Sequence, residues 1–141
     1  MAFTLVDTGP LVAYLDRREC HHDWAKTWFG GLREAALTCE PVITEACFLL
    51  RRSQPGTDLL LLDLVVQGRL VVDFDLGDEA EAVAALMSRY ASVPMSLADA
   101  CLVRMAEIHP NSRILTLDSD FRVYRKEERT PIEAIFPEDR A

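Results

Sequence analysis

The sequence predicts an α/β domain whose central sheet is mostly parallel and holds four to five strands. Three observations carry that expectation. Short apolar runs at 3–7 (FTLVD), near 37–42, at 69–73 (RLVVD) and at 113–118 (RILTLD) alternate with stretches of helical periodicity, as βαβ units do. The runs are apolar throughout rather than at every second residue, which is how strands covered on both faces read. The first and the last strong runs also end on a carboxylate, Asp7 and Asp118.

Each element follows from local chemistry. After FTLVD, Gly9-Pro10 opens a helix at about 10–16, with Pro near the first turn, where its missing N–H costs nothing. In CHHDWAKTWFGGL, Trp24, Trp28, Phe29 and Leu32 recur at helical spacing and read as core-facing. A short strand near 37–42 leads into a helix over TEACFLLRRS, and Pro55-Gly56 turns the chain. LLLLDLVVQG is a strongly apolar helix closed by Gly68, followed by the strand near 69–73. Residues 78–90 begin with acids and carry Val83, Leu86, Met87 and Tyr90 on one stripe. In VPMSLADACLVRMAEIH, Ser96 stands three residues before Asp99, an N-cap box with Asp in place of Glu. Asn111-Ser112 precedes the strand RILTLD; a turn at SDF, a basic stretch and an edge strand at PIEAI complete the chain. With no internal repeat, low-complexity tract or linker, 1–141 reads as a single domain.

The totals narrow the class. Half of the 141 residues are hydrophobic, enough for a proper core. No apolar run approaches the ~18–20 residues of a membrane span. The start, MAFTLVDTG, lacks the basic region and the long apolar stretch of a secretory signal, so a cytoplasmic location and no membrane partner are expected. Cys20, Cys39, Cys47 and Cys101 form no C-x-x-C pair and read as reduced, mostly buried cysteines. The net charge of −8 repels nucleic acid non-specifically. Either the partner is not a nucleic acid, or the negative charge is gathered where a metal or a basic protein neutralises it.

The placement of the acids favours the second case. In open parallel sheets, ligand sites lie outside the carboxyl ends of the strands. Asp7 and Asp118 end strands, and Asp120 follows two residues on. Glu45 after VIT and Asp99 after MSLA are expected in the first turns of two helices, whose N-termini point toward the same crevice and favour negative charge. Asp7, Glu45, Asp99 and Asp118 therefore have a common meeting place. Singly, each has a plainer role as an N-cap, a dipole partner or a turn former. Together their mutual repulsion calls for a hard divalent cation, Mg²⁺ or Mn²⁺ rather than zinc, because no His or Cys converges with them. Such an ion lowers the pKa of a bound water and stabilises charge on a phosphoryl oxygen, which fits phosphodiester hydrolysis. His21, His22 and His109 read as surface or packing residues.

LVDTGPLVAYLD, VITEACFLL, PMSLADACLV and ILTLDSDF, in that order along nearly the whole chain, resemble the PIN-domain ribonucleases, particularly the VapC-like toxins of type II toxin–antitoxin pairs. The resemblance implies a three-layer α/β/α sandwich and metal-dependent cleavage of single-stranded RNA. It places the catalytic roles on Asp7, Glu45, Asp99 and Asp118, with Asp7, Asp99 and Asp118 as the metal ligands and Mg²⁺ or Mn²⁺ as the cofactor. Thr8 and Thr116 match the family's hydroxyl residues beside the first and last acids, and Asp120 is the alternative fourth acid. A homodimer and an antitoxin clamped by the helix pair near 44–66 are further implications. Positive charge comes almost wholly from arginine, with only two lysines. Arg51, Arg52, Arg122, Arg125 and Lys126 offer contacts to an RNA backbone, or are simply solvated charge.

Other readings remain beside this one. A receiver domain needs a lysine at the end of its last strand, which ILTLDSD lacks; a haloacid-dehalogenase-type phosphatase needs D-x-D where this chain has Asp7-Thr8-Gly9. A non-catalytic PIN-like module binding RNA or protein, and a PIN nuclease of RNA processing that is not a toxin, are the alternatives that keep the fold.

Overall fold

The computed structural model describes residues 2–137. The strands are β1 (Phe3–Val6), β2 (Ala36–Thr38), β3 (Leu70–Val72), β4 (Ser112–Leu115), β5 (Arg125–Lys126), β6 (Thr130–Pro131) and β7 (Ala134–Ile135). The helices are α1 (Thr8–Leu15), α2 (His22–Gly31), α3 (Glu40–Ser53), α4 (Thr57–Val66), α5 (Leu76–Arg89) and α6 (Leu97–Ile108). Five strands form one sheet in the order β3-β2-β1-β4-β7, every pairing parallel. Leu5 of β1 sits level with Leu37 of β2 and Ile114 of β4, and all three side chains are buried. The middle of the sheet is apolar because both its faces are covered, whereas Phe3 at the start of β1 and Val71 of the edge strand β3 are exposed.

From β1 the chain steps outward to β2 and β3, then returns to the other side of β1 for β4. Right-handed crossovers then place the helices before β3 on one face of the sheet and those after it on the other. The packing agrees: α1 lies against α2, α3 and α4, whereas α5 lies against α6. The result is a three-layer α/β/α sandwich. The reversal of strand order falls between β1 and β4, so the crevice of this sheet opens beyond the ends of those two strands.

Several boundaries differ from the sequence expectation. β2 ends at Thr38, and α3 starts at Glu40 rather than at about 44. Pro41 sits in the first turn of α3, where its fixed φ suits a helix start, and this overrides the strand preference of Val42, Ile43 and Thr44. Glu45 therefore lies in the second turn of α3, and Glu40 is the first-turn acid. α5 begins at Leu76 instead of 78, because the carboxylate of Asp75 caps it by accepting from the Asp78 N–H at 3.3 Å. The basic stretch forms an antiparallel hairpin, β5 with β6, that the sequence did not signal. Its turn puts Glu127 and Glu128 at φ of 49° and 67°, a region that glutamate seldom adopts. PIEAI does supply the edge strand, as β7 beside β4.

Trp24 is buried and Trp28 packs on the edge of the core. All four cysteines are free: Cys39 and Cys101 are buried, Cys47 is half-buried and Cys20 is exposed. Among the described residues, no helix is long and apolar enough to cross a membrane.

Candidate active site

The crevice beyond β1 and β4 is built around Asp7. The first residue after β1, it hydrogen-bonds through its backbone N–H to the Leu115 carbonyl of β4 at 3.0 Å. It also caps α1, so one carboxylate oxygen, Oδ1, accepts from the Thr8 N–H at 2.8 Å. The other, Oδ2, accepts from the Thr116 hydroxyl at 2.7 Å. The cap role and a role in the crevice are compatible, because an ionised carboxylate offers about four acceptor sites. Gly9 is required beside it: a Cβ there would stand 2.9 Å from the Leu117 side chain. This close approach brings the start of α1 against the segment that carries Asp118.

Asp118 follows β4 and caps a 3-10 turn at Ser119–Arg122, accepting from the Asp120 N–H at 2.9 Å. Its own N–H donates to Thr116 Oγ1 at 3.0 Å. On the other side, the Thr8 hydroxyl donates to Glu45 Oε2 at 3.3 Å. Glu45, Thr8, Asp7, Thr116 and Asp118 thus form one continuous chain of hydrogen bonds, with the two threonines as its links. The sequence expectation that Glu45 opens a helix is corrected; it reaches the site from the second turn of α3.

Asp99 arrives from α6. Ser96 caps that helix by accepting from the Asp99 N–H at 3.1 Å, as the S-x-x-D pattern predicts. Asp99 Oδ2 accepts from the Tyr124 hydroxyl at 2.9 Å. Tyr124 is fully buried and packs edge-on to both Phe121 and Tyr90, with ring centroids 5.1 Å apart in each pair. This tyrosine escaped the sequence reading. Its neighbours Arg122 and Arg125 give it the look of a surface residue, and its partner lies 25 positions away.

The electrostatics couple Asp7, Asp99 and Asp118 in one field. Burial, reinforced by the charges of Asp99 and Asp118, pushes the Asp7 carboxyl up to about 6, against the lowering effect of the Thr116 and Thr8 hydrogen bonds. Burial likewise raises the Asp99 carboxyl, with Tyr124 opposing it and the charge of Asp118 adding to it. The Tyr124 hydroxyl is raised first by burial, then by its bond to Asp99, with Asp120 and Asp118 contributing. Asp120 therefore stands within reach of the cluster, though Asp118 is the one joined to Thr116.

The donor set of the cluster is oxygen only, the chemistry that Mg²⁺ and Mn²⁺ take. As the side chains stand, their oxygens point to the donors just described, and among the described residues no group of three or more acids, histidines or cysteines is disposed to hold a metal ion. Each oxygen that accepts one hydrogen bond keeps a second lone pair. His22 bonds to the Ala13 carbonyl and His109 to Asp73.

The cations are placed differently. Arg125 donates to the carbonyls of Arg122, Val123 and Tyr124, and Lys126 to that of Pro110, which ties both to the backbone. Arg122 lies over the Phe136 ring at 4.0 Å. Arg51 and Arg52 are exposed in the last turn of α3, with Arg52 over the Phe48 ring at 5.5 Å. Beside the acids opens a cavity of about 760 Å³, lined in part by Glu45, Phe48, Phe74, Ser96 and Leu97.

Comparison with known proteins accords with this architecture. The chain superposes on the crystal structure of VapC20 from Mycobacterium tuberculosis, described as a sarcin-ricin loop cleaving toxin, with a TM-score of 0.77 and 18% identity. The alignment covers 85% of this chain and 93% of that one. At that identity the likeness is one of fold. A comparison with curated proteins by sequence finds no match. The PIN domain family matches residues 4–127, a span that takes in Asp7, Glu45, Asp99, Asp118 and Tyr124. The chain belongs to the PIN-domain family.

Proposed function

We propose that this PIN-domain protein is a Mg²⁺- or Mn²⁺-dependent endoribonuclease that hydrolyses single-stranded RNA, and that it is the toxin of a toxin–antitoxin pair. The observation that carries the reading is the meeting of Asp7, Asp99 and Asp118 at the point where the strand order reverses, with Glu45 tied in through Thr8. Burial and mutual repulsion both cost these carboxylates free energy, and a bound cation would offset both. Asp7, Asp99 and Asp118 are the ligands in this reading. When bound, the ion supplies an acidified water and stabilisation of charge on the phosphoryl oxygen.

The chain's own groups do the positioning. Thr116 and the Thr8 N–H hold both oxygens of Asp7, which fixes the plane of its carboxylate. Tyr124 fixes Asp99 in the same way from inside the core. Glu45 is exposed at the rim and accepts from the Thr8 hydroxyl; in this reading it accepts a proton from the attacking water. The similarity of fold to a toxin that cleaves the sarcin-ricin loop supports RNA as the substrate.

A protein partner is supported by α4. Leu61 and Leu64 face the core, whereas Leu59, Leu62 and Val66, at helical spacing on the outer face, are 62%, 44% and 84% exposed. Apolar side chains exposed together on an outer face, here interrupted by Asp63, mark a surface for a partner. A second copy of this chain and an antitoxin are the occupants proposed, the antitoxin with an arginine-bearing segment that reaches the acids.

The test is cleavage of single-stranded RNA by the purified protein, with and without Mg²⁺ or Mn²⁺, alongside Asp7→Asn and Asp99→Asn. Metal-dependent cleavage lost in both variants is expected. Equal activity in the variants would remove the site assignment, and RNA binding without cleavage under any metal would leave a non-catalytic module.

A further inference from the structure

We propose that the cleft beside the acids is a base pocket, which takes one unpaired, amino-bearing nucleobase of the bound strand and stacks it on Phe48. The inference rests on the nuclease reading for the identity of the strand, and on the cleft itself for the rest. Phe48, Phe74, Leu76 and Leu97 line the cavity of about 760 Å³, and Glu40 and Glu45 also border it. Phe48 is 58% exposed and Leu97 39%, so the chain leaves this apolar surface open to water.

Two residues join the cleft to the acids. Glu45 borders the cleft and takes the Thr8 hydroxyl; Ser96 borders it and caps the helix at Asp99. Whatever lies in the cleft is therefore next to a phosphate held at the acids. A flat ring suits aromatic and aliphatic walls. Among the described residues, no lysine, arginine or histidine lines the cavity and two carboxylates do, so a phosphate or a carboxylate ligand is repelled from it. Carboxylates are acceptors only, and they pair with the exocyclic amino groups of adenine, cytosine or guanine. Uracil presents a carbonyl at that position and is disfavoured. Arg52, over the Phe48 ring at 5.5 Å, supplies a cation outside the cleft for the phosphate adjoining the base.

Single-stranded RNA hexamers carrying 2-aminopurine test the proposal, since stacking quenches that base. Quenching is expected with the wild-type protein and with Phe48→Trp, and is expected to be lost with Phe48→Ala, a substitution at an exposed side chain that leaves the core intact. In the cleavage assay Phe48→Ala is expected to raise KM about 5- to 150-fold with little change in kcat, the range that stacking one base on an aromatic side chain supports. A substrate abasic at the pocket position is expected to be cleaved equally poorly by wild type and variant. Quenching that still needs Phe48 in a protein that never cleaves would uphold the pocket and remove the nuclease reading. Unchanged quenching and KM in Phe48→Ala would overturn the pocket, as would a preference for uridine. Loss of a protein partner by that variant, with quenching unchanged, would overturn it too and give the cleft to the partner.

Discussion

Replacing Asp7 with asparagine is predicted to stabilise the metal-free protein while abolishing its proposed activity. The carboxyl is 7% exposed and is pushed up to about 6, by burial first and then by Asp99 and Asp118. A rise of about two units above an unfolded chain, at about 1.4 kcal/mol per unit, costs the folded state about 3 kcal/mol once the group is ionised in both states. The sign follows from proton affinity. The folded state holds this proton more tightly, so between about pH 4 and pH 6 the unfolded chain has released it and the folded chain has not. Stability therefore falls as pH rises through that window; the whole cost is present above it and none below it. Asparagine is neutral throughout, and it keeps an oxygen for the Thr8 N–H. Rearranging the bond to Thr116 offsets about 1 kcal/mol of the gain. Urea unfolding of both proteins in EDTA, from pH 4 to pH 8, is the assay, with the m-value as a check that the same surface unfolds. The variant is expected to be more stable by about 2 kcal/mol at pH 8, and the difference to vanish or turn slightly negative by pH 4. A difference that does not change with pH would refute the buried-charge argument.

Three further predictions follow from named contacts. Tyr124→Phe removes the hydroxyl that donates to the buried Asp99; unfolding at pH 8 is expected to show a loss of about 1–2 kcal/mol, and cleavage to fall with it. Thr116→Val removes a bond that lowers the Asp7 carboxyl, so that group titrates above 6 and the acid limb of the pH–rate profile moves to higher pH. Val66→Lys on the outer face of α4 is expected to change stability by no more than about 0.5 kcal/mol, while sedimentation shows weaker self-association.

What the sequence revealed and what it hid divide along the range of the contacts involved. Asp7 was legible because an apolar strand, a carboxylate and Gly9-Pro10 are adjacent in the chain. The Ser96–Asp99 cap was legible for the same reason, being a spacing of three. Thr8 and Thr116 came from the resemblance, and the structure gives them a physical task as the links between Glu45, Asp7 and Asp118. The start of α3 was misplaced because Val42, Ile43 and Thr44 favour strands, and only Pro41 with Glu40 argues for a helix. Tyr124 was hidden because its bond to Asp99 depends on the 3-10 turn that carries it inward. Phe48 and Phe74 were hidden because they come from different elements, and nothing in a linear reading brings the two together around one cleft. The −8 charge, which opposes RNA binding, has a partial resolution, since several of those charges are gathered at the end of the sheet.

The central claim is that the acids form one metal-dependent cutting site. Its most direct test takes protein stripped with EDTA, adds Mn²⁺ in steps, and follows cleavage of a single-stranded RNA by wild type and by Asp7→Asn. Cleavage absent at first and rising to saturation with Mn²⁺ in the wild type, with the more stable Asp7→Asn protein inert at every concentration, is the predicted result. Cleavage that persists in EDTA, or that Asp7→Asn carries out as well as the wild type, would contradict the account.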